Sequence, residues 1–277
     1  GPSQRVLEMA PGRDTLADIV AAVRRRAEVR AARNGRRMEA AAASAPAPRD
    51  FAGALRGPGL SVIAEVKFAS PSAGRIRPET DLETVVAGYV SAGADALSVL
   101  TEPEFFAGSP DHLRRARELT ARLGRPIPVL QKDFIVTEYQ LYEARAAGAD
   151  GILLIAAALG PAELRRFLRL AQALGLAALV EAHTEAELEA ALEAGARIVG
   201  INNRNLQTLE VDINICLNLR PRIPPGVLAV AESGLKTPDD VRRVAAAGYH
   251  AILVGEALMR AADPGQALAE LVRGVRV

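Results

Sequence analysis

Three lysines stand out in a chain that otherwise carries its positive charge on arginine. Of 34 Lys and Arg residues, only Lys67, Lys132 and Lys236 are lysine. Each follows a short apolar run directly or within a few residues. Lysine is compact and its pKa can be lowered for proton transfer, so lysine kept where arginine is the habit points to chemistry. Glu65 stands two residues before Lys67, in the stretch SVIAEVKFASPS over 61–72. Side chains alternate along a strand, so Glu65 and Lys67 project from one face. A carboxylate and an ammonium there form either an ion pair or an acid/base pair. Ser70 and Ser72 add hydroxyls on the turn that follows. Lys67 and Lys132 flanking Glu65 and Glu181 suit proton shuttling, because loss of a proton, water or carboxylate needs an acid and a base on opposite sides of a substrate. A Schiff-base lysine is the alternative. His112, His183 and His250 have no metal-ligand spacing, so no metal site is expected. No role for Lys236 follows from its position.

The elements that must position these residues repeat. Gly-Ala-Asp or a close relative precedes an apolar run at Gly93, Gly148, Gly195 and Gly248. Each glycine reads as the residue just past a helix end, with a strand starting at once. Helix starts are read at Thr80 with Glu83, Thr137 with Gln140 and Thr184 with Glu187 as capping boxes, and at Thr237-Pro238. Eight strands are predicted near 61–66, 95–100, 127–132, 151–156, 177–181, 198–202, 227–231 and 251–254, with helices between them. Strict βα alternation with strands buried on both faces predicts a closed (β/α)8 barrel, a TIM barrel. An open doubly wound sheet lacks its G-x-G-x-x-G after the first strand.

Active sites of such barrels lie at the C-terminal strand ends. Those ends carry Glu65, Lys67, Thr101, Glu102, Lys132, Asp133, Glu181, His183, Asn202, Asn203, Glu232, Ser233, Gly255 and Glu256, whereas the N-terminal ends are mostly Gly, Pro and Ala. One mouth is therefore polar. Ser233-Gly234 and Gly255-Glu256 follow the seventh and eighth strands, the usual place for a phosphate on exposed backbone N–H groups.

Before the barrel, residues 14–37 read as a helix with an apolar stripe of Leu16, Ile19, Val20 and Val23. Its arginines, Arg24, Arg25, Arg26, Arg30, Arg33, Arg36 and Arg37, read as a solvated face, and 40–48 as an Ala/Pro-rich connection. The expectation is one domain over 1–277, with a helical extension over 1–57 and the barrel over 58–277. A net charge of +1 gives no global field for nucleic acid or membrane. No stretch is long and apolar enough to span a bilayer, and the N-terminus lacks a secretory h-region. The single cysteine, Cys216, reads as a packed helix thiol and fits a reducing compartment.

Seven segments, in order over nearly the whole chain, resemble the indole-3-glycerol phosphate synthase family of tryptophan biosynthesis. They begin at Glu65 (EVKFASPS), Ser98 (SVLTE, with FAGS from Phe106), Leu130 (LQKDFI), Leu179 (LVEAH), Gly200 (GINNRNL), Ala231 (AESG) and Val254 (VGEALMR). The resemblance implies a (β/α)8 barrel lyase that works without a cofactor. It closes the indole ring of 1-(2-carboxyphenylamino)-1-deoxyribulose 5-phosphate with loss of CO2 and water. Carried over by position, Lys132 is expected to be the general acid and Glu181 the acid/base for dehydration. Lys67, paired with Glu65, would steer the carboxylate and share in proton transfer, and Asn202 would position the reacting groups. Phe106, Phe134 and Leu153 would line an aromatic-ring pocket. Ser70, Ser233, Gly234, Gly255 and Glu256 would surround the phosphate, and Arg204 would anchor a loop or the carboxylate. The resemblance further implies a cytoplasmic monomer whose partner is a small phosphorylated substrate. Ala73 and Phe105 depart from the lysine and tyrosine frequent in relatives. Against the neighbouring isomerase of phosphoribosylanthranilate stands the lone Cys in a helix. Against a non-catalytic phosphate-binding barrel stands the full set of charged mouth residues.

Overall fold

The eight apolar runs all form strands, and the sheet closes on itself. The computed structural model describes residues 14–276, so the N-terminal start read for an h-region lies outside the described residues. β1 (Ser61–Val66) leads into a small antiparallel hairpin, β2 (Ala69–Ser70) with β3 (Gly74–Arg75). The barrel continues with β4 (Ala96–Leu100), β5 (Val129–Lys132), β6 (Gly151–Ile155), β7 (Ala177–Ala182), β8 (Ile198–Asn202), β9 (Leu228–Glu232) and β10 (Ala251–Val254). Every neighbouring pair is parallel, and β1 pairs with both β4 and β10, so no edge is left open. Helices pack outside: α1 (Thr15–Ser44), α2 (Phe51–Ala54), α3 (Leu82–Ser91), α4 (Pro103–Phe106), α5 (Pro110–Arg122), α6 (Glu138–Ala147), α7 (Pro161–Ala173), α8 (Glu185–Glu193), α9 (Asn214–Leu219), α10 (Pro238–Ala246), α11 (Glu256–Arg260) and α12 (Pro264–Leu271). No helix among the described residues is long and apolar enough to cross a membrane.

The punctuation by glycine holds. Gly93, Gly148, Gly195 and Gly248 all have φ between 89° and 98°, which ends a helix and turns the chain into the next strand. The caps hold in part. At Thr137 the Gln140 side chain accepts from the Thr137 N–H, and at Thr237 and Asp240 the exchange is reciprocal. At Thr184 the hydroxyl caps Glu187 N–H, but the Glu187 carboxylate accepts from His183 N–H instead. The box at Thr80 does not form: Glu79–Asp81 is a 3-10 turn, and α3 begins after Asp81.

The extension differs most from expectation. α1 runs to Ser44, so Ala40 to Ala43 are helical and the connection shrinks to the segment containing Pro46 and Pro48. Alanine is the best helix former, and only proline forces the stop. Thirty residues span roughly 45 Å, enough to reach from the barrel mouth to its base. Its basic face is not all solvated. Arg26 pairs with Glu102 at 2.7 Å and with Glu104, Arg30 grips Glu143 with two bonds of 2.8 and 2.9 Å, and Arg24 donates to Val136 O. Arg25, Arg33, Arg36 and Arg37 remain exposed.

At the base, the buried carboxylate of Asp150 ties the connection to the barrel. It accepts from Arg49 N–H and from Val129 N–H, both at 2.7 Å, and from the Arg117 guanidinium. Removing one partner of a buried pair strands the other. Asp150→Ala is expected to cost about 3–5 kcal/mol of unfolding free energy in a denaturant titration. Turnover per folded molecule should not change, since Asp150 lies at the opposite end from the mouth.

Candidate active site

Alternation along each strand decides which residues enter the barrel. Glu65 and Lys67 face inward, and so do Lys132, Glu181, Asn202 and Glu232; all line one cavity of about 560 Å³ at the C-terminal mouth. Other polar residues at the strand ends do other work. Asn203, one residue past Asn202, points away and holds Ser233 O and Cys216 N–H, each at 2.9 Å. Thr101 donates to Asp133 at 2.6 Å. Glu102 is fully buried beneath the extension, where it accepts from the N–H groups of Glu104, Phe105 and Phe106 and caps α4. His183 turns its Nδ1 to Asn202 O at 2.7 Å. These four polar strand-end residues therefore do not belong to the cavity.

Glu65 is the hub. It is 3 % exposed, and its Oε2 accepts from Lys132 Nζ at 2.9 Å and from Ser98 Oγ at 2.8 Å. Lys67 Nζ lies 3.8 Å from the other oxygen. Burial would raise the Glu65 carboxyl, but Lys132 and Lys67 outweigh it and hold its pKa below the usual range. Burial would likewise lower Lys132, but Glu65, Glu232 and Glu181 reverse the sign, so its ammonium stays protonated well past neutral pH. Lys67 moves the other way: burial, with Lys132 and Arg204 nearby, lowers its pKa despite Glu65. The two lysines are thus set apart, one a firmly held acid and one able to give up its proton sooner.

Across the cavity, Glu181 and Glu232 face a different environment. Both are buried, and one Glu181 oxygen and both Glu232 oxygens have no hydrogen-bond donor among the described residues. Burial raises both carboxyls, and each acts on the other, with Glu232 raised the further. The strand register makes room for it: a Cβ on inward-facing Gly200 would overlap Glu232 Oε2. Glu232 was visible in the sequence as a strand-end residue but not as a partner of Glu181, because that pairing joins β7 to β9 across the intervening β8, a meeting that only the folded sheet creates. Asp133, half-buried in the cavity wall, is pushed up to about 6 by desolvation despite its bond from Thr101.

One wall of the cavity is apolar. Phe106 and Phe134 tilt toward each other with ring centroids 5.7 Å apart, and Leu153 joins them. Leu16 and Ile19 of α1, read earlier only as a core stripe, also line the cavity. The opposite wall is turn backbone. Ser233 and Gly234 take consecutive left-handed conformations, φ 70° and 73°, and Gly255 sits so close to the Glu65 stem that a Cβ would lie 2.8 Å from it. Ser70 lies here too, its Oγ accepting from Ala73 N–H at 3.1 Å. Glu256 turns its carboxylate toward Arg204, 3.8 Å away, and Arg204 donates to Leu209 O at 3.0 Å, so its side chain anchors the loop after β8. Among the described residues, no group of three His, Cys, Asp or Glu is placed to hold a metal ion.

A sequence model described as indole-3-glycerol phosphate synthase matches residues 16–271. The chain belongs to the indole-3-glycerol phosphate synthase family. Indole-3-glycerol phosphate synthase 2 of Streptomyces coelicolor is 48% identical over 88% of this chain and 92% of its own length. The indole-3-glycerol phosphate synthase of Chromobacterium violaceum is 49% identical over 88% of this chain and 93% of its own. Among solved structures, 3-hexulose-6-phosphate synthase from Salmonella typhimurium superposes with a TM-score of 0.60 at 14% identity, over 77% of this chain and 98% of that one. Thiamine phosphate pyrophosphorylase from Pyrococcus furiosus gives 0.57 at 19% identity, over 77% and 94%. These likenesses show the barrel fold.

The Glu181–Glu232 pair makes a stability prediction. The Glu232 carboxyl lies above its unfolded value of about 4.3, so the folded state holds a proton that the unfolded chain releases. The stability carried by that proton is complete below the unfolded pKa and is lost as pH rises through the folded one. Glu232→Gln removes this loss. It is expected to raise the thermal midpoint at pH 8 by several degrees, the equivalent of about 1–3 kcal/mol, while turnover falls. A midpoint that stays put at pH 8 would contradict the pairing.

Proposed function

We propose that this chain closes the indole ring of 1-(2-carboxyphenylamino)-1-deoxyribulose 5-phosphate, releasing CO2 and water to give indole-3-glycerol phosphate. The observation that carries the reading is Lys132, an ammonium fixed 2.9 Å from Glu65 in a cavity that also holds Glu181 and Glu232. In the first step, the aromatic carbon that bears the carboxylate bonds to the ketone carbon, and the ketone oxygen takes a proton from Lys132. The carbon–carboxylate bond then breaks; its electron pair restores the aromatic ring and CO2 leaves. In the last step, the new hydroxyl leaves as water after accepting a proton, and the adjacent ring carbon loses one. Glu181 is the acid/base here. Glu232 joins it, because a buried carboxyl pair holding one proton offers a donor and an acceptor together.

Lys67, beside Glu65, steers the substrate carboxylate and shares in proton transfer, and Asn202 positions the reacting groups. Phe106, Phe134 and Leu153 take the aromatic ring. Ser70, Ser233, Gly234, Gly255 and Glu256 surround the phosphate, with backbone N–H groups as the donors and the Glu256 carboxylate drawn off toward Arg204. We read the extension over 1–57 and the barrel over 58–277 as one domain; a single hydrophobic cluster running from Leu16 to Val272 supports this. We also read the protein as a cytoplasmic monomer with no obligatory protein partner, and the buried free thiol of Cys216 suits a reducing compartment.

The test is a fluorescence assay for indole formation with purified chain and substrate, with no added metal or cofactor. Lys132→Ala and Lys132→Arg are each expected to lower kcat by roughly 10²–10⁴-fold; Lys132→Arg keeps a cation beside Glu65 and should hold the unfolding midpoint within a few degrees, whereas Lys132→Ala leaves Glu65 short of its closest cation and should lower it. Near-normal turnover in Lys132→Arg would remove the general-acid role.

A further inference from the structure

The third lysine also faces the cavity. Lys236 follows β9 and lines the same mouth as Lys67 and Lys132, on the side of Ser233, Gly234 and Gly255. About one residue in nine of the chain lines this cavity, yet all three lysines of the protein do. The inner cations are already committed. Lys132 and Lys67 lie against Glu65, and Arg204 is shared between Glu256 and Leu209 O. Lys236 and Arg260 are different: both are exposed, both line the cavity, and among the described residues neither side chain is in an ion pair. Its backbone N–H donates to Asp240 at 3.0 Å, and among the described residues the Lys236 ammonium has no partner.

Charge bookkeeping in the cavity gives this placement a consequence. Lys67, Lys132 and Arg204 are opposed inside by Glu65, Asp133, Glu181, Glu232 and Glu256. An interior of that balance gives no net pull on an anion. The substrate of the reaction proposed above carries a phosphate of nearly two negative charges and a carboxylate. Loss of CO2 leaves the product with the phosphate alone. Free cations at the rim therefore attract substrate more strongly than product, and they do so before any inner contact is made.

We propose that Lys236, assisted by Arg260, is a capture site for the substrate phosphate that acts on association and not on the chemical steps. A mobile ammonium point charge suits this task, since it can follow the phosphate from the rim to the backbone N–H groups of Ser233-Gly234. The inference rests on the function proposed above.

The experiment is steady-state kinetics of Lys236→Gln, Lys236→Glu and Lys236→Arg beside the unaltered protein, at low and high ionic strength. Lys236→Gln is expected to raise KM roughly three- to tenfold, with Lys236→Glu higher still and kcat within about twofold. Lys236→Arg should restore most of the loss. The kcat/KM of the unaltered protein should fall with added salt, and that of Lys236→Gln should fall less. Unchanged KM in Lys236→Glu, or a loss confined to kcat, would overturn the capture role while leaving the function intact. No turnover by the unaltered protein would overturn the function, and the capture role with it.

Discussion

The cost of burying charge organises this molecule. Glu65 sits on the inner face of a barrel strand, almost out of water, and a lone carboxylate there would be expensive. It is tolerable because two ammonium groups and a serine hydroxyl converge on it from β1, β4 and β5. The same convergence fixes the state of each partner. Lys132 is held protonated, Glu65 is held ionised, and Lys67, less closely paired, is left more labile. Even a neighbouring turn answers to this hub, because Gly255 can have no side chain where it meets the Glu65 stem.

The opposite side of the cavity is deliberately less well compensated. Glu181 of β7 and Glu232 of β9 come together across the side-chain-free Gly200 of β8, and among the described residues three of their four oxygens have no donor. Such an arrangement weakens the fold and prepares a site for proton transfer. The stabilising interactions lie elsewhere. Asp150 and its three donors lock the base of the barrel, and Arg26 and Arg30 fasten the long N-terminal helix along its side. Strain and stability are thus kept at opposite ends, as the architecture of βα barrels allows.

The N-terminal helix links these ends. Its apolar stripe does two things at once: Val23 and its neighbours close the core, while Leu16 and Ile19 form part of the cavity wall. Arg26 meets Glu102, whose carboxylate caps the short helix that ends in Phe106. The aromatic wall is therefore supported from outside the barrel by a helix that precedes it in the chain.

The sequence by itself determined the eightfold alternation, the polar mouth and the charged residues that line it. Those features are written in local rules: helix-ending glycines, strand periodicity, and polar residues at one end of each apolar run. Local rules also misled where a local motif met a tertiary partner. Thr80 yielded its cap to a 3-10 turn, the alanines from 40 onward continued a helix that composition suggested had ended, and Arg26 and Arg30 left the solvated face for carboxylates more than seventy residues away. Only the tertiary structure decided that Glu102 is buried beneath the N-terminal helix and that Glu232 lies beside Glu181. Phase along a strand is local, but which mouths become neighbours depends on closure of the sheet. Partnership between charges, and with it every shifted pKa in the site, exists only once those strands meet.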